Sequence, residues 1–162
     1  HYLVVANSYD GSSQSIDSQI FRWTGSAFSE LQRIPTHGAR DWEHYEIDGA
    51  HYLVVANNYD GSSYSIDSQI YHWTGASFAE FQPIPTHGAR GVPEIGSTLR
   101  SSQPDGAHYL VVANHDDSSS YSIDSQIYHW TGASFVEFQR IPTHGARDWE
   151  HFEIDGSTGH TT

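Results

Sequence analysis

Three similar segments of the chain each carry a cluster of oxygen-rich side chains that suits a hard cation. In each cluster an aspartate follows an asparagine by three residues, with serines and, in two of the clusters, a glycine just beyond. Calcium prefers such ligands, although the spacing differs from that of the EF-hand loop. The same residues also favour turns in which the side chain bonds its own backbone. The predicted calcium ligands are Asn7, Asp10, Asn57, Asp60, Asn114 and Asp117.

A second recurring group combines histidine and arginine with aspartate and tryptophan. Each segment contains Thr-His-Gly-Ala-Arg, which in two of the three continues as Asp-Trp-Glu-His. Converging histidines are able to bind a transition metal or to titrate at about pH 6.5. In a structural role, each arginine would instead pair with an acidic neighbour such as Asp41 or Glu43. Arginine and aromatic groups on one surface also suit a sugar, because rings stack on its apolar faces and guanidinium groups bind its hydroxyls. The predicted ligand-binding residues are His37, Arg40, Asp41, Trp42, His87, Arg90, His144, Arg147, Asp148 and Trp149.

Little in the sequence supports catalysis. Asp41 and Glu43 form a carboxylate pair of the kind that glycosidases use, but the second segment lacks it. The chain has no glycine-rich phosphate loop, no Gly-x-Ser-x-Gly turn and no His-Glu-x-x-His motif. It also has no cysteine, which excludes disulfides and thiol catalysis. We therefore expect a non-catalytic protein.

Composition narrows the partners further. The chain has 162 residues, of which 7 are basic, all of them arginine, and 20 are acidic, for a formal charge of −13. This charge argues against nucleic acid and anionic lipid as ligands. No apolar run approaches the roughly 20 residues that span a bilayer, so we expect no membrane insertion. The chain opens on His1 without an initiator methionine, as expected of a mature, processed protein or of a piece cut from a longer chain.

The chain is built from internal repeats. The string His-Tyr-Leu-Val-Val-Ala-Asn begins at His1, His51 and His108. Three units follow, at 1–50, 51–107 and 108–156, which we expect to form one domain with a polar tail at 157–162. The second unit ends differently, because its residues 91–107 replace the shorter segment that closes the first unit.

Every unit shows β-strand patterns and no helical periodicity. In the first unit the predicted strands are Tyr2–Ala6, Gln19–Trp23, Phe28–Ile34 and Trp42–Ile47, rich in β-branched and aromatic residues. Short glycine turns alternate with longer polar loops along the unit. In an up-and-down meander, both kinds of long loop, the Asn-x-x-Asp loop and the Thr-His-Gly-Ala-Arg loop, lie at the same end. We expect the binding site there, since loops carry function more often than the scaffold.

These strings together resemble a known family. Tyr-Leu-Val-Val-Ala-Asn, Ser-Ile-Asp-Ser-Gln-Ile-Tyr, Trp-Thr-Gly and Ile-Pro-Thr-His-Gly-Ala-Arg-Asp-Trp-Glu-His-Phe-Glu-Ile-Asp-Gly follow in the order of the epilepsy-associated (EAR or epitempin) repeat. The resemblance covers nearly the whole chain except 91–107 and the tail. It implies one four-stranded β-propeller blade per repeat. It also implies a secreted or cell-surface protein that binds partners, such as cell-surface receptors, without catalysis.

The predicted fold is all-β, with three repeats of a four-stranded antiparallel sheet arranged as propeller blades. A β-trefoil-like three-fold monomer is the alternative. Family propellers resemble seven-bladed discs and most propellers have 4 to 8 blades, so three units favour a homodimer or higher homo-oligomer. The segment Asp148–Asp155 repeats the first unit's last strand and is expected to pair with Tyr2–Ala6 and close a ring, either within the chain or between chains.

Three functions are compatible with these features. The first is a multivalent lectin that binds glycans through equivalent loops, because repeated weak sites gain avidity on a repetitive surface. The second is a module that binds a cell-surface receptor, with residues 91–107 as its asymmetric patch. The third is an acidic secretory protein that binds calcium or another metal.

Overall fold

The computed structural model describes residues 1–91, 94–95 and 107–149. Residues 150–162, which include the predicted tail, lie outside the described residues. Within the described part all regular structure is β, and no helix there is long and apolar enough to cross a membrane. The strands are β1 (Tyr2–Val5), β2 (Ser15–Trp23), β3 (Phe28–His37), β4 (Asp41–Ile47), β5 (Ala50–Ala56), β6 (Ser65–Trp73), β7 (Phe78–His87), β8 (Glu94–Ile95), β9 (Tyr109–Val112), β10 (Ser122–Trp130) and β11 (Phe135–His144).

The strands form three separate antiparallel sheets, which we name blade one (β1–β3), blade two (β4–β7) and blade three (β8–β11). In each blade, strands that are consecutive in the chain are also neighbours in the sheet. Blade two begins with the last strand of the first repeat, so the repeats are circularly shifted against the blades. The all-β, propeller-like prediction is confirmed, and a separate sheet for each repeat favours it over the trefoil alternative.

Two of the strands are longer than predicted. The sequence places the ends of loops at residues 15–18 and 35–37, but the structure continues β2 and β3 through them. Pro35 lies opposite Asp17 within this extension. A proline is tolerated there because β3 is the outer strand of its sheet and has no further strand to receive a hydrogen bond.

The hydrophobic core lies between the blades. Side chains alternate along β5, so Leu53 packs with Ile20 between blades one and two, whereas Val54 packs with Leu110 between blades two and three. This explains why the Leu-Val-Val strand is apolar on both of its faces. We call these two contact regions the first and the second joint.

Hydrogen bonds repeat at the outer part of each joint. At the first joint, Gln32 donates to the carbonyl of Phe78 (2.8 Å) and accepts from its amide (2.8 Å). At the second joint, Gln82 makes the same pair of bonds with Phe135, at 2.7 and 3.0 Å. One glutamine thus satisfies both backbone groups of a phenylalanine in the next blade.

The inner part of each joint is also hydrogen-bonded. The amide of His37 donates to Asn57 Oδ1 (3.0 Å), and the amide of His87 donates to Asn114 Oδ1 (2.9 Å). Because both acceptor side chains are buried, losing either bond would leave an unsatisfied polar group.

Candidate functional site

The two kinds of polar loop meet on one side of the blades, as the meander predicts. The Thr-His-Gly-Ala-Arg loop follows the outer strand of its blade and packs against the Asn-x-x-Asp loop of the next blade. At the first joint, the amide of Asn58 donates to the carbonyl of His37 (3.0 Å). At the second joint, the amide of His115 donates to the carbonyl of His87 (3.0 Å). We call the surface formed by these loops the loop face.

A glycine in each Thr-His-Gly-Ala-Arg loop allows this close approach. Gly88 has φ +55°, and a Cβ added there would lie 2.7 Å from the carbonyl oxygen of Asp116 in blade three. Gly38 meets Tyr59 of blade two in the same way, also at 2.7 Å. A side chain at either position would therefore clash with the backbone of the next blade.

Each of the three predicted histidines lies beside a serine of its own blade. In every case the imidazole Nδ1 lies within hydrogen-bond distance of the serine hydroxyl. Across the described ranges, no group of three or more His, Asp or Glu side chains is arranged to hold a metal ion. The pairs are Ser15 with His37 (2.9 Å), Ser65 with His87 (3.0 Å) and Ser122 with His144 (2.9 Å).

The three predicted arginines, in contrast, lie close enough for their charges to interact. Burial lowers the pKa of Arg90, and the positive charges of Arg40 and Arg147 lower it further, while Asp116 partly opposes them. The three come from consecutive loops that are 50 and 57 residues apart in the chain. The blades thus concentrate three of the seven basic side chains of an acidic protein on the loop face.

The expected pairing of these arginines with an acidic neighbour stays a prediction. Among the described residues, the arginine–carboxylate ion pairs join other arginines, Arg33 to Glu30 and Arg140 to Glu137, each at 2.8 Å on the outer strands. Arg40 Nε instead donates to the amide oxygen of Asn58 (3.4 Å).

In blade three, His115 takes the position that Asn58 holds in blade two. It contacts the carboxylate of Asp116 at 3.2 Å. Among the described residues, Arg90 therefore lacks the amide acceptor that Arg40 has, and its buried Nε has no hydrogen-bond partner there. Buried donors are usually satisfied, so this nitrogen is an exception within the described part of the chain.

The remaining predicted ligand residues form the rim beside the arginines. Asp41 Oδ1 accepts from the amide of Trp42, and Asp148 Oδ1 accepts from that of Trp149, both at 2.9 Å. Trp42 is half-buried and its ring packs on Tyr71, with centroids 5.8 Å apart. The indole Nε1 atoms of both tryptophans are buried, with no hydrogen-bond partner among the described residues. These tryptophans support the loops with most of their surface and offer little of it to a stacked sugar.

The predicted calcium ligands make hydrogen-bonded turns. Asp60 Oδ1 accepts from the amide and hydroxyl of Ser62 and from the amide of Ser63, at 2.7 to 2.8 Å. These bonds stabilise the ionised form and lower the pKa of Asp60. Asp10 and Asp117 make equivalent turns, with lowered pKa values for the same reason.

The asparagines of the same loops point to the backbone. The side-chain amide groups of Asn7, Asn57 and Asn114 donate to the carbonyls of Asp17, Asp67 and Asp124 at 2.8 to 2.9 Å. Both residue types thus have a structural role in every repeat. A calcium site at these loops stays a prediction.

Sequence reasoning missed the residues that connect the blades. Gln32, Gln82 and Gln139 recur at the same place in each repeat, but a glutamine on an outer strand looks like an ordinary exposed polar residue. Its recurrence at the same place in three units was the available signal. Only the neighbouring blade shows that this side chain bonds a backbone 46 residues away.

Known proteins share the repeat pattern. The EPTP domain model matches residues 27–74 and 134–158. The human thrombospondin-type laminin G domain and EAR repeat-containing protein is 40% identical over 139 residues, or 85% of this chain and 20% of the relative. Its mouse counterpart is 38% identical over 159 residues, or 95% and 24%. The chain thus spans about a fifth to a quarter of the curated relatives it matches. The EPTP match, the identity to EAR proteins and the bladed structure lead to one conclusion: the chain belongs to the EAR (EPTP) repeat family, a family of non-catalytic repeats.

Proposed function

We propose that this protein is a non-catalytic, extracellular binding protein whose loop face recognises acidic groups on glycans. The observation that carries the proposal is the cluster of Arg40, Arg90 and Arg147, which no ion pair of the described residues neutralises. An anion placed between them would relieve their mutual repulsion, and carboxylate or sulfate groups accept two hydrogen bonds from one guanidinium.

Charge distribution supports an acidic ligand rather than a neutral one. The chain as a whole carries −13, so an anion approaching at random is repelled, and only a local cation cluster reverses that effect. Arg90 is the most suitable anchor, because it is partly buried and the charges of both Arg40 and Arg147 act on it.

A protein receptor with an acidic patch is the second candidate. Membership of a repeat family associated with protein interaction supports it, as does the departure of blade three from blade two at His115. If the repeated sites are equivalent, a glycan-coated surface is the better ligand, because several weak contacts add up to avidity. A single specific receptor would instead bind the one repeat whose sequence differs. Both candidates use the same arginines.

The test is a glycan array that includes sulfated, carboxylated and neutral sugars, probed with the purified protein. We expect binding to the acidic sugars, with stepwise weakening in Arg40→Gln, Arg90→Gln and Arg147→Gln, and the largest loss at Arg90. Each good charge-assisted contact is worth about 1.5–3 kcal/mol, or roughly a tenfold to hundredfold loss of affinity. Repeating the array with calcium and with a chelator tests the calcium prediction.

Arg33→Gln is the matched control, because it removes the same charge from an exposed arginine that is already paired with Glu30. It should leave binding within about twofold. Equal losses at Arg33 and Arg90 would mean that only net charge matters, which contradicts a site on the loop face. A blank array, together with capture of a receptor that needs Arg90, would favour the protein partner.

A further inference from the structure

Two histidines and a glutamate lie together on the hairpin of β4 and β5, toward the turn that joins the two strands. The imidazole Nε2 of His44 lies 3.2 Å from Nδ1 of His51, and the two ring centroids are 5.3 Å apart. A carboxylate oxygen of Glu46 lies 3.8 Å from the same Nδ1 atom. We call these three side chains the hairpin cluster.

The backbone of the hairpin holds the cluster in place. Glu46 lies directly opposite His51 in the sheet. His44 is two residues before Glu46, so its side chain projects from the same face of the strand. The turn is formed by Asp48 and Gly49, whose φ angles of +51° and +79° suit a tight two-residue hairpin. Rotation of the side chains alone therefore changes the distances within the cluster.

The separation of the two nitrogens fits a shared metal ion. Two imidazole nitrogens that bind one Zn²⁺ at about 2.0–2.1 Å and at a tetrahedral angle lie about 3.3–3.4 Å apart. A neutral imidazole carries a hydrogen on one nitrogen and a lone pair on the other. His44 and His51 are therefore able to turn both lone pairs toward one ion. Without an ion, one of the two facing nitrogens donates a hydrogen bond to the other.

Glu46 is placed to supply a third ligand. As they stand, the described side chains contain no complete three-ligand site, so the carboxylate has to rotate toward the ion. The side chains of Glu46 and His51 are 52% and 45% exposed, which leaves room for that rotation and for a water molecule as fourth ligand. Imidazole and carboxylate ligands together suit Zn²⁺ or Cu²⁺, whereas Ca²⁺ takes oxygen ligands. The formal charge of −13 also attracts cations.

Blade three offers a natural comparison. His108 has the place in its repeat that His51 has in blade two. Glu94 lies opposite Leu110, as His44 lies opposite Leu53. The position that provides the second histidine in blade two is thus a glutamate in blade three.

We propose that the hairpin cluster binds one divalent transition metal ion, Zn²⁺ or Cu²⁺, through His44 Nε2, His51 Nδ1 and a carboxylate oxygen of Glu46. The bound ion ties β4 to β5 beside their turn and so stabilises blade two. The alternative is a hydrogen bond between the two imidazoles alone, which predicts no metal binding. The cluster lies apart from the loop face, so the inference does not depend on the ligand proposed there.

Equilibrium dialysis against Zn²⁺ at pH 7.5 tests the proposal. We expect His44→Gln and His51→Gln each to lose the same one equivalent of Zn²⁺ per chain, whereas the matched control His108→Gln retains it. Binding by the remaining histidines is common to these variants and does not affect the comparison. Glu46→Gln should weaken the binding at least about tenfold, since even outer-shell partners of metal ligands contribute 10- to 100-fold. Glu80→Gln, which removes the same charge from an exposed site on β7, should change it by less than about twofold.

Two results of the dialysis would overturn the proposal. One is equal binding by the unmodified protein and His44→Gln, with both folded by circular dichroism. The other is an equal loss in His51→Gln and His108→Gln, because single surface histidines would then account for the binding.

Nuclear magnetic resonance of the unmodified protein gives an answer even if a variant fails to fold. Addition of one equivalent of Zn²⁺ should shift the imidazole signals of His44 and His51 together. Unchanged signals from these two residues would leave only the hydrogen bond and would overturn the proposal.

Discussion

Replacing Gly88 with alanine tests the idea that the blades are fitted backbone to backbone at the loop face. A Cβ there would lie 2.7 Å from the carbonyl oxygen and 3.2 Å from the amide nitrogen of Asp116. Both atoms belong to the backbone, so relief requires the two blades to separate by a few tenths of an ångström. Gly145 is the matched control, because its loop has the same sequence and nearly the same φ, +56°, but the nearest atoms to its Cβ would be at 3.8 Å.

The expected magnitudes follow from these two environments. Left-handed φ costs a non-glycine residue about 1–2 kcal/mol, which applies to both positions. Overpacking adds about 1–3 kcal/mol, which applies to Gly88 alone. We therefore expect Gly88→Ala to lower the free energy of unfolding by about 2–5 kcal/mol and Gly145→Ala by about 1–2 kcal/mol.

Urea denaturation followed by tryptophan fluorescence measures both values. Gly38→Ala, which meets Tyr59 at the same 2.7 Å, should behave like Gly88→Ala. Equal effects at Gly88 and Gly145 would refute the reasoning, because they would mean that only the backbone conformation matters.

Three further predictions concern the joints and the titrating groups. Gln82→Ala should lower the free energy of unfolding in urea by about 1–3 kcal/mol, because it leaves two backbone groups of Phe135 without their partner. An equal loss in Arg140→Gln would contradict this reasoning. Burial, and then the charge of His51, lower the pKa of His44 in the folded protein below 6.5. The contribution of neutral His44 to stability is therefore complete above pH 6.5 and is lost as the pH falls through the folded-state pKa. Between pH 7.5 and 5, the melting temperature should fall less in His44→Gln than in the unmodified protein. Hydrogen bonds from the turn lower the pKa of Asp60 below 3.8, so the stabilisation by its carboxylate is present above pH 3.8 and is lost below it. The Asp60→Asn variant should melt at a lower temperature than the unmodified protein at pH 7, and its melting temperature should change less on acidification.

The loops illustrate the limit of sequence reasoning. An asparagine, an aspartate and serines close together were compatible with a calcium ligand set or with a turn. In the structure the carboxylate of Asp60 bonds the next residues of its own loop, whereas Asn57 bonds the amide of His37 in the preceding blade. The first contact is local and was one of the two predicted alternatives. The second depends on a residue 20 positions away and on the packing of two sheets.

What the sequence determined by itself is the repeated, all-β organisation: the strand order, the glycine turns and the common side of the polar loops. These properties follow from patterns within one repeat, because alternation and turn chemistry act over a few residues. The tertiary structure decided how far β3 extends past Pro35, which glutamine bonds which backbone, and that Arg40, Arg90 and Arg147 share one surface. The last two of these properties depend on groups 46 to 57 residues apart, whose distance is set only when one sheet packs on the next.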